Sequence, residues 1–120
     1  MIHHIGMFAS NFGASRAFFE AALAPLGIIV GYEAEQVCEF WSVDADTPSL
    51  SLGANNEATR GLHIAFQASD RGAVDAFFSA ALSAGGTERE APRYWPQYRA
   101  YCAFVSDPDG NNVEAVKKEV

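Results

Sequence analysis

HIGMFASNFGASRAFFEAALAPLG, running from His4 to Gly27, returns without a gap as HIAFQASDRGAVDAFFSAALSAGG from His63 to Gly86. The copies lie 59 residues apart and agree at 13 of their 24 positions, including His, Ile, Ala-Ser, Gly-Ala, Ala-Phe-Phe, Ala-Ala-Leu and the closing Gly. A repeat of this kind fixes the architecture before any single residue is interpreted, because one supersecondary unit is being used twice. His4 and His63 then hold equivalent places in two related modules, and packing about a pseudo-twofold axis would bring their imidazoles towards one point.

Each copy opens on a short apolar run with β-branched and aromatic members, read as a strand over residues 2–9 in the first copy and from Leu62 to Ala68 in the second. At a period of two, Ile2, His4, Gly6 and Phe8 share one face and His3, Ile5 and Met7 the other, so His3 and His4 cannot serve one site. Ser10-Asn11 and Ser69-Asp70 supply capping oxygens. Helices are expected over about Gly13 to Ala24, with Ala14, Phe18, Ala21 and Ala22 on the inward stripe, and over Arg71 to Ala84.

Strands follow in GIIVGYE (Gly27 to Glu33), QVCEFWSV (Gln36 to Val43) and PSLSLG (Pro48 to Gly53), and Ala54 to Gly61 forms a polar linker. The second module repeats the order, with a short strand near Thr87 to Glu90, AYCAFVS as the third and NNVEAVKK as the last. Between them APRYWPQYR, Ala91 to Arg99, reads as an irregular, proline-broken loop serving as pocket wall, lid or dimer contact. SDPDGNN is a hairpin turn in which Asp107 bonds the following backbone and Gly110 takes a positive φ. The expectation is an α+β domain over residues 1–120, with module one at 1–56 and module two at 61–120.

The formal charge of −7 disfavours nucleic acid and anionic membrane as partners and leaves a small molecule. No apolar run is long enough for a membrane span. Met1-Ile2-His3-His4 lacks the features of a secretion signal, and Cys38 and Cys102 sit in apolar, strand-like runs. Both thiols are expected reduced and buried, which suits a cytoplasmic protein.

Chemistry concentrates in His4, His63 and Glu114. A carboxylate within the final strand is costly unless paired or bound to a metal. Two neutral imidazoles and one carboxylate suit Fe, Mn, Ni or Zn in the divalent state, with positions left open for water or substrate. A satisfied structural role for each of the three is the competing interpretation.

MIHHIG, GLHIAF and FVSDPDGNNVEAV, set in a strand-helix-three-strand order used twice, resemble the vicinal oxygen chelate superfamily of glyoxalase, bleomycin resistance and dioxygenase proteins. The resemblance covers nearly the whole chain. It implies paired βαβββ modules whose curled sheet forms a cup, a homodimer, and a divalent ion held by His4, His63 and Glu114. Glyoxalase I proper adds a glutamate in the last strand of the first module, where this chain offers only Ser49 and Ser51. Related chains carry Tyr-His-Pro where this one has Tyr94-Trp95-Pro96. The resemblance leaves two activities open, a lyase or isomerase and a ring-cleaving dioxygenase, with Tyr98 and Tyr101 as candidate catalytic groups. Phe8, Phe40, Trp41, Trp95, Arg93 and Arg99 are candidate substrate contacts. The alternative is a metal-free protein, like bleomycin-resistance members, that sequesters an aromatic or cationic small molecule.

Overall fold

In the computed structural model, which describes residues 1–45 and 48–120, the doubled sequence becomes two four-stranded sheets, each with one helix. Module one comprises β1 (Ile5–Ala9), α1 (Phe12–Leu23), β2 (Ile28–Ala34), β3 (Val37–Ser42) and β4 (Pro48–Ala54), and a 3-10 turn over Ala24–Leu26 follows α1. Module two comprises β5 (His63–Gln67), α2 (Arg71–Ser83), β6 (Thr87–Trp95), β7 (Ala100–Ser106) and β8 (Asn112–Lys118). The sheet orders are β1-β4-β3-β2 and β5-β8-β7-β6, so the first strand of each module stands at an edge, parallel to the last. None of the helices among the described residues is long and apolar enough to cross a membrane.

Each helix starts where a side chain satisfies a free backbone donor. Asn11 Oδ1 accepts from Ala14 N at 3.1 Å and Asp70 Oδ1 from Ala73 N at 2.8 Å; such caps contribute about 1 kcal/mol each. The buried stripe of α1 is Ser15, Phe18, Phe19, Ala22 and Leu23, rotated from the expected one, and Ala14 is exposed. With two adjacent phenylalanines to bury, the helix turns until both are inside, packed edge to face at 5.0 Å. Phe40 meets Phe19 at 6.2 Å, and Phe77 of α2 joins the same core. The modules pack helix against helix, with Phe18 close above Gly86: a Cβ built there would lie 2.7 Å from the Phe18 ring and 2.8 Å from the Ala81 carbonyl oxygen.

Two segments depart from their sequence reading: the first strand starts at Ile5 and not at residue 2, which leaves His4 ahead of it, and the second departure lies in module two. Much of the supposed loop from Ala91 to Arg99 is strand, because β6 runs on to Trp95. A proline within a strand is tolerated at an edge and beside a bulge. Pro92 has both, since β6 is the outer strand and its register with β7 shifts between Glu90 and Arg93. Only Pro96 breaks the structure, opening a tight turn in which Tyr98 N donates to Trp95 O and Arg99 takes a positive φ of 48°.

The turn between β7 and β8 also ties the modules together. Asp107 Oδ1 accepts from Asp109 N (2.9 Å) and Asn111 N (2.8 Å), and Gly110 has φ 86°. Asn111, fully buried, accepts from Leu62 N and donates to the Thr59 carbonyl. Asp109 reaches into module one, where its carboxylate accepts from Ser10 N (3.1 Å) and Ser10 Oγ. Ser10 therefore does not cap α1 as a Ser-Asn pair would allow; Asn11 caps it and Ser10 holds the neighbouring module. Cys38 and Cys102 are free and buried, as expected.

Candidate functional site

Both helices cover the same kind of sheet face, so each sheet keeps one face without a helix. Val113 and Ala115 of β8 point into the core, which turns Asn112, Glu114 and Val116 to the uncovered face. There Glu114 meets His63 of the adjacent β5. In the ladder His63 stands opposite Asn112 and Ala65 opposite Glu114, a diagonal placement that long side chains span. His63 Nε2 donates to Glu114 Oε1 at 2.8 Å.

The two side chains differ in environment. Glu114 is 11% exposed and His63 54%, so a nearly buried carboxylate holds an imidazole whose remaining surface faces outwards. Behind Glu114 lies Cys102 on β7. Burial pushes its thiol up to about 12, and the S–H bonded to Glu114 adds to the rise. Glu114 is thus held by His63, in keeping with the cost of leaving a charge unpaired in such a position.

His4 does not join them within one chain. It precedes β1, is exposed, and its Nδ1 shares a hydrogen bond of 2.9 Å with His3 Nδ1. Among the described residues no three His, Cys, Asp or Glu side chains form a group able to hold an ion. The reason lies in the packing: the modules meet through their helices, β1 pairs only with β4 and β5 only with β8, and the two edges are not zipped together. Ser51 pairs with Gly6 as Glu114 pairs with Ala65, and Gly6 and Ala65 are equivalent in the repeat. Ser51 therefore holds in module one the place that Glu114 holds in module two.

The remaining candidates divide by strand parity. Phe40 is fully buried against Phe19 and belongs to the core, because alternation in β3 sends Cys38 and Phe40 inward and Trp41 outward. Trp41 lies over Gly31, where a Cβ would come within 2.3 Å of its ring. Phe8 is 48% exposed on the uncovered face of module one. Tyr101 lies on the helix side of β7, donates its hydroxyl to Asp75 at 2.7 Å and sits under Arg71, so it faces away from His63 and Glu114. Tyr98 stays with the site: a recess is lined by His63, Tyr98, Phe104 and Glu114.

A larger cleft of about 470 Å³ adjoins that recess, lined by Arg89, Glu90, Trp95, Tyr98, Phe104 and Asn112. Arg93 lays its guanidinium over the Trp95 ring, 3.3 Å from the centroid, and the Arg99 carbonyl accepts from Glu119 N. Sequence reasoning passed over Phe104, Asn112, Arg89 and Glu90. The signal for the first two was the alternation of β7 and β8; for Arg89 and Glu90 it was hidden by the irregular register of β6.

The comparisons with known proteins agree with this fold. The Glyoxalase/Bleomycin resistance protein/Dioxygenase superfamily profile matches residues 1–115. The structure superposes on a glyoxalase/bleomycin resistance protein from Albidiferax ferrireducens T118 with a TM-score of 0.84, at 26% identity over 99% of both chains. It is similar in fold to a glyoxalase/bleomycin resistance protein/dioxygenase family enzyme from Burkholderia phytofirmans PsJN, with a TM-score of 0.73 and 19% identity over 98% of both chains. A glyoxalase-related enzyme from Fulvimarina pelagi gives a TM-score of 0.76 at 16% identity, over 98% of this chain and 88% of that one. Among curated proteins no match was found.

Proposed function

We propose that this chain, which belongs to the Glyoxalase/Bleomycin resistance protein/Dioxygenase superfamily, is a small-molecule enzyme that works with a divalent metal ion. The observation that carries the reading is the His63–Glu114 pair. An imidazole nitrogen and a carboxylate oxygen stand 2.8 Å apart on an uncovered sheet face, beside an aromatic cleft. That donor set fits a first-row divalent ion. When bound, the ion supplies Lewis-acid stabilisation of charge developing on substrate oxygens.

The third ligand in this reading is His4 of a second copy. Both open sheet faces need a cover, and β1 and β5 stand at sheet edges, with Thr59 of the linker bonded to the Phe8 backbone on the outer side of β1. Module one presents Phe8, Ile29 and Val37, each more than a third exposed, on strands whose other side is core. Covering that face with module two of a partner chain would bury apolar surface and bring the start of β1 to His63 and Glu114. The homodimer would then hold two equivalent sites, each built from both chains.

The chain's own groups divide the remaining work. Glu114, bonded to His63, sets the position of the imidazole; Tyr98, exposed at the rim, is placed to exclude water or donate a proton. Ser51 cannot take a proton as a carboxylate would, which argues against the isomerisation that glyoxalase I performs.

A second reading, a metal-free binding protein, draws on the aromatic lining of the cleft. Metal analysis of the native, untagged protein separates the two. Near-stoichiometric Fe, Mn, Ni or Zn, lost in both His63→Ala and Glu114→Ala, supports the enzyme. Failure of the wild type to take up an ion after reconstitution, or retention in both variants, overturns it in favour of the binder.

A further inference from the structure

The cleft beside His63 and Glu114 has a composition that selects its occupant. Trp95 is its wall. One face of the indole is covered by the Arg93 guanidinium. Phe104 meets Trp95 edge to face at 5.6 Å and 71°, and Tyr98 lies tilted by 34° at 6.1 Å. Phe104 in turn stands 6.1 Å from the His63 ring, so the aromatic surface runs unbroken from Trp95 to the histidine. Three aromatic side chains around an open slot favour a flat ring, which gains offset or edge-to-face contacts that a saturated ligand does not.

Charge narrows the class. The Arg89 guanidinium is committed, donating to Ser106 Oγ at 2.8 Å and to the Gly110 carbonyl at 2.9 Å, and Arg93 is committed to Trp95 and to the Tyr94 carbonyl. Glu90 and Glu114 are the carboxylates that line the cleft and its recess. With its cations engaged and its carboxylates at hand, the slot is unfavourable to an anion and suits a neutral or cationic ring with a hydrogen to donate.

Asn112 supplies the polar reader. It stands opposite His63 in the ladder and two residues before Glu114 on the same face, between the aromatic end of the cleft and the His63–Glu114 end. Its amide makes no hydrogen bond among the described residues, and Oδ1 is shut off from solvent without a partner. The indole Nε1 of Trp95 is likewise buried and unpartnered. Buried polar atoms without partners are rare in folded proteins and call for an explanation. An amide that nothing holds can turn to offer its oxygen or its nitrogen to a ligand, at the one place where a ring seated on Trp95 would bring a substituent towards His63.

We infer that the cleft takes a planar, non-anionic aromatic molecule of one or two fused rings bearing a hydroxyl or N–H at its edge, with Asn112 as the specificity-determining residue that reads that edge. The ring stacks on Trp95 and Tyr98 over Phe104, and its polar edge points to His63 and Glu114. The orientation rests on the reading of that pair as the reactive centre; the binding itself does not.

The test uses chelator-treated full-length protein and two probes, 2-naphthol and 2-methoxynaphthalene, which share a ring system and differ in the donated hydrogen. Titration calorimetry should give saturable binding of 2-naphthol, tighter than that of the methyl ether by about tenfold, the scale of one net hydrogen bond. Asn112→Leu should bring the two probes to equal affinity. Tyr98→Ala, at an exposed turn position, should weaken both by about tenfold through lost aromatic contact and leave the melting temperature unchanged. Absence of saturable 2-naphthol binding, or an unchanged preference in Asn112→Leu, overturns the inference. Its failure is distinct from that of the metal reading: Glu114→Ala that loses the ion and still binds 2-naphthol supports the cleft, and metal retained by a protein that binds neither probe refutes the cleft alone.

Discussion

Replacing Asp109 by alanine should cost far more stability than its place in a surface turn suggests. The Asp109 side chain is only 4% exposed and accepts from both the backbone N–H and the hydroxyl of Ser10, 99 residues away. Hydrogen bonds to a charged acceptor contribute about 1.5–3 kcal/mol each, and truncation leaves the donors unpaired. The Ser10 hydroxyl can turn towards water, so its share is discounted, and the loss comes to about 3 kcal/mol. Arg60 adds little: its nitrogen is 3.5 Å from Asp109 Oδ1 and its side chain is 62% exposed, which places Arg60→Ala within about 1 kcal/mol of wild type. Urea unfolding measures these values directly. At about 4 °C per kcal/mol for a domain of this size, Asp109→Ala should melt about 12 °C lower. A cycle with Ser10→Ala should give a coupling of about 1–2 kcal/mol. A loss below about 0.5 kcal/mol, typical of surface substitutions, would refute the claim that this turn clamps the modules together.

Other outcomes follow from the same contacts. Gly86→Ala should destabilise by about 1–3 kcal/mol, because the added carbon meets the Phe18 ring and the Ala81 carbonyl; a neutral result by urea unfolding would contradict the close packing of the modules. Phe40→Ala should cost about 3–5 kcal/mol, as expected for a core residue and not for a ligand contact. Cys102, whose thiol is pushed up to about 12, should resist a thiol reagent at pH 8 until the protein is unfolded, and prompt labelling of the native protein would count against its burial behind Glu114. Glu119 is held below the usual carboxylate range, first by its hydrogen bond from Arg71. Its contribution to stability is full above the unfolded value and is lost as pH falls through the folded one. Glu119→Gln should therefore flatten the acid limb of the stability profile, and an unchanged limb would show the pair to be inert.

The repeat made the architecture legible. His4 to Gly27 and His63 to Gly86 announced two strand-helix units, and the Gly-, Pro- and Asp-bounded runs after them gave three strands each, to within a residue or two for all but β6, which runs five residues past its expected end. His63 and Glu114 were singled out by residue type as partners of His4 around an ion; that the two bond each other directly, diagonally across β5 and β8, is a matter of ladder register that the sequence does not carry. Other features lay outside the reach of periodicity. Phe40 and Trp41 are neighbours of similar character, and only the packing of Phe19 decides which one enters the core. The extension of β6 through Pro92 depends on its being an outer strand, a fact about the sheet and not about the segment. His4 shows the limit most plainly. A repeat establishes that two residues are equivalent; whether they meet depends on how the modules pack, and here helix against helix keeps the strand edges apart.

Mixing two variants tests the proposed shared site most directly. His4→Ala and Glu114→Ala proteins should each lack bound metal, and co-refolding them in equal amounts should restore about one site in four, the statistical share when half of the dimers are mixed and each mixed dimer has one intact site. Recovery near that level, measured as metal per chain, is the result expected if His4 reaches His63 and Glu114 across two copies. A mixture that binds no more metal than either variant alone would contradict it.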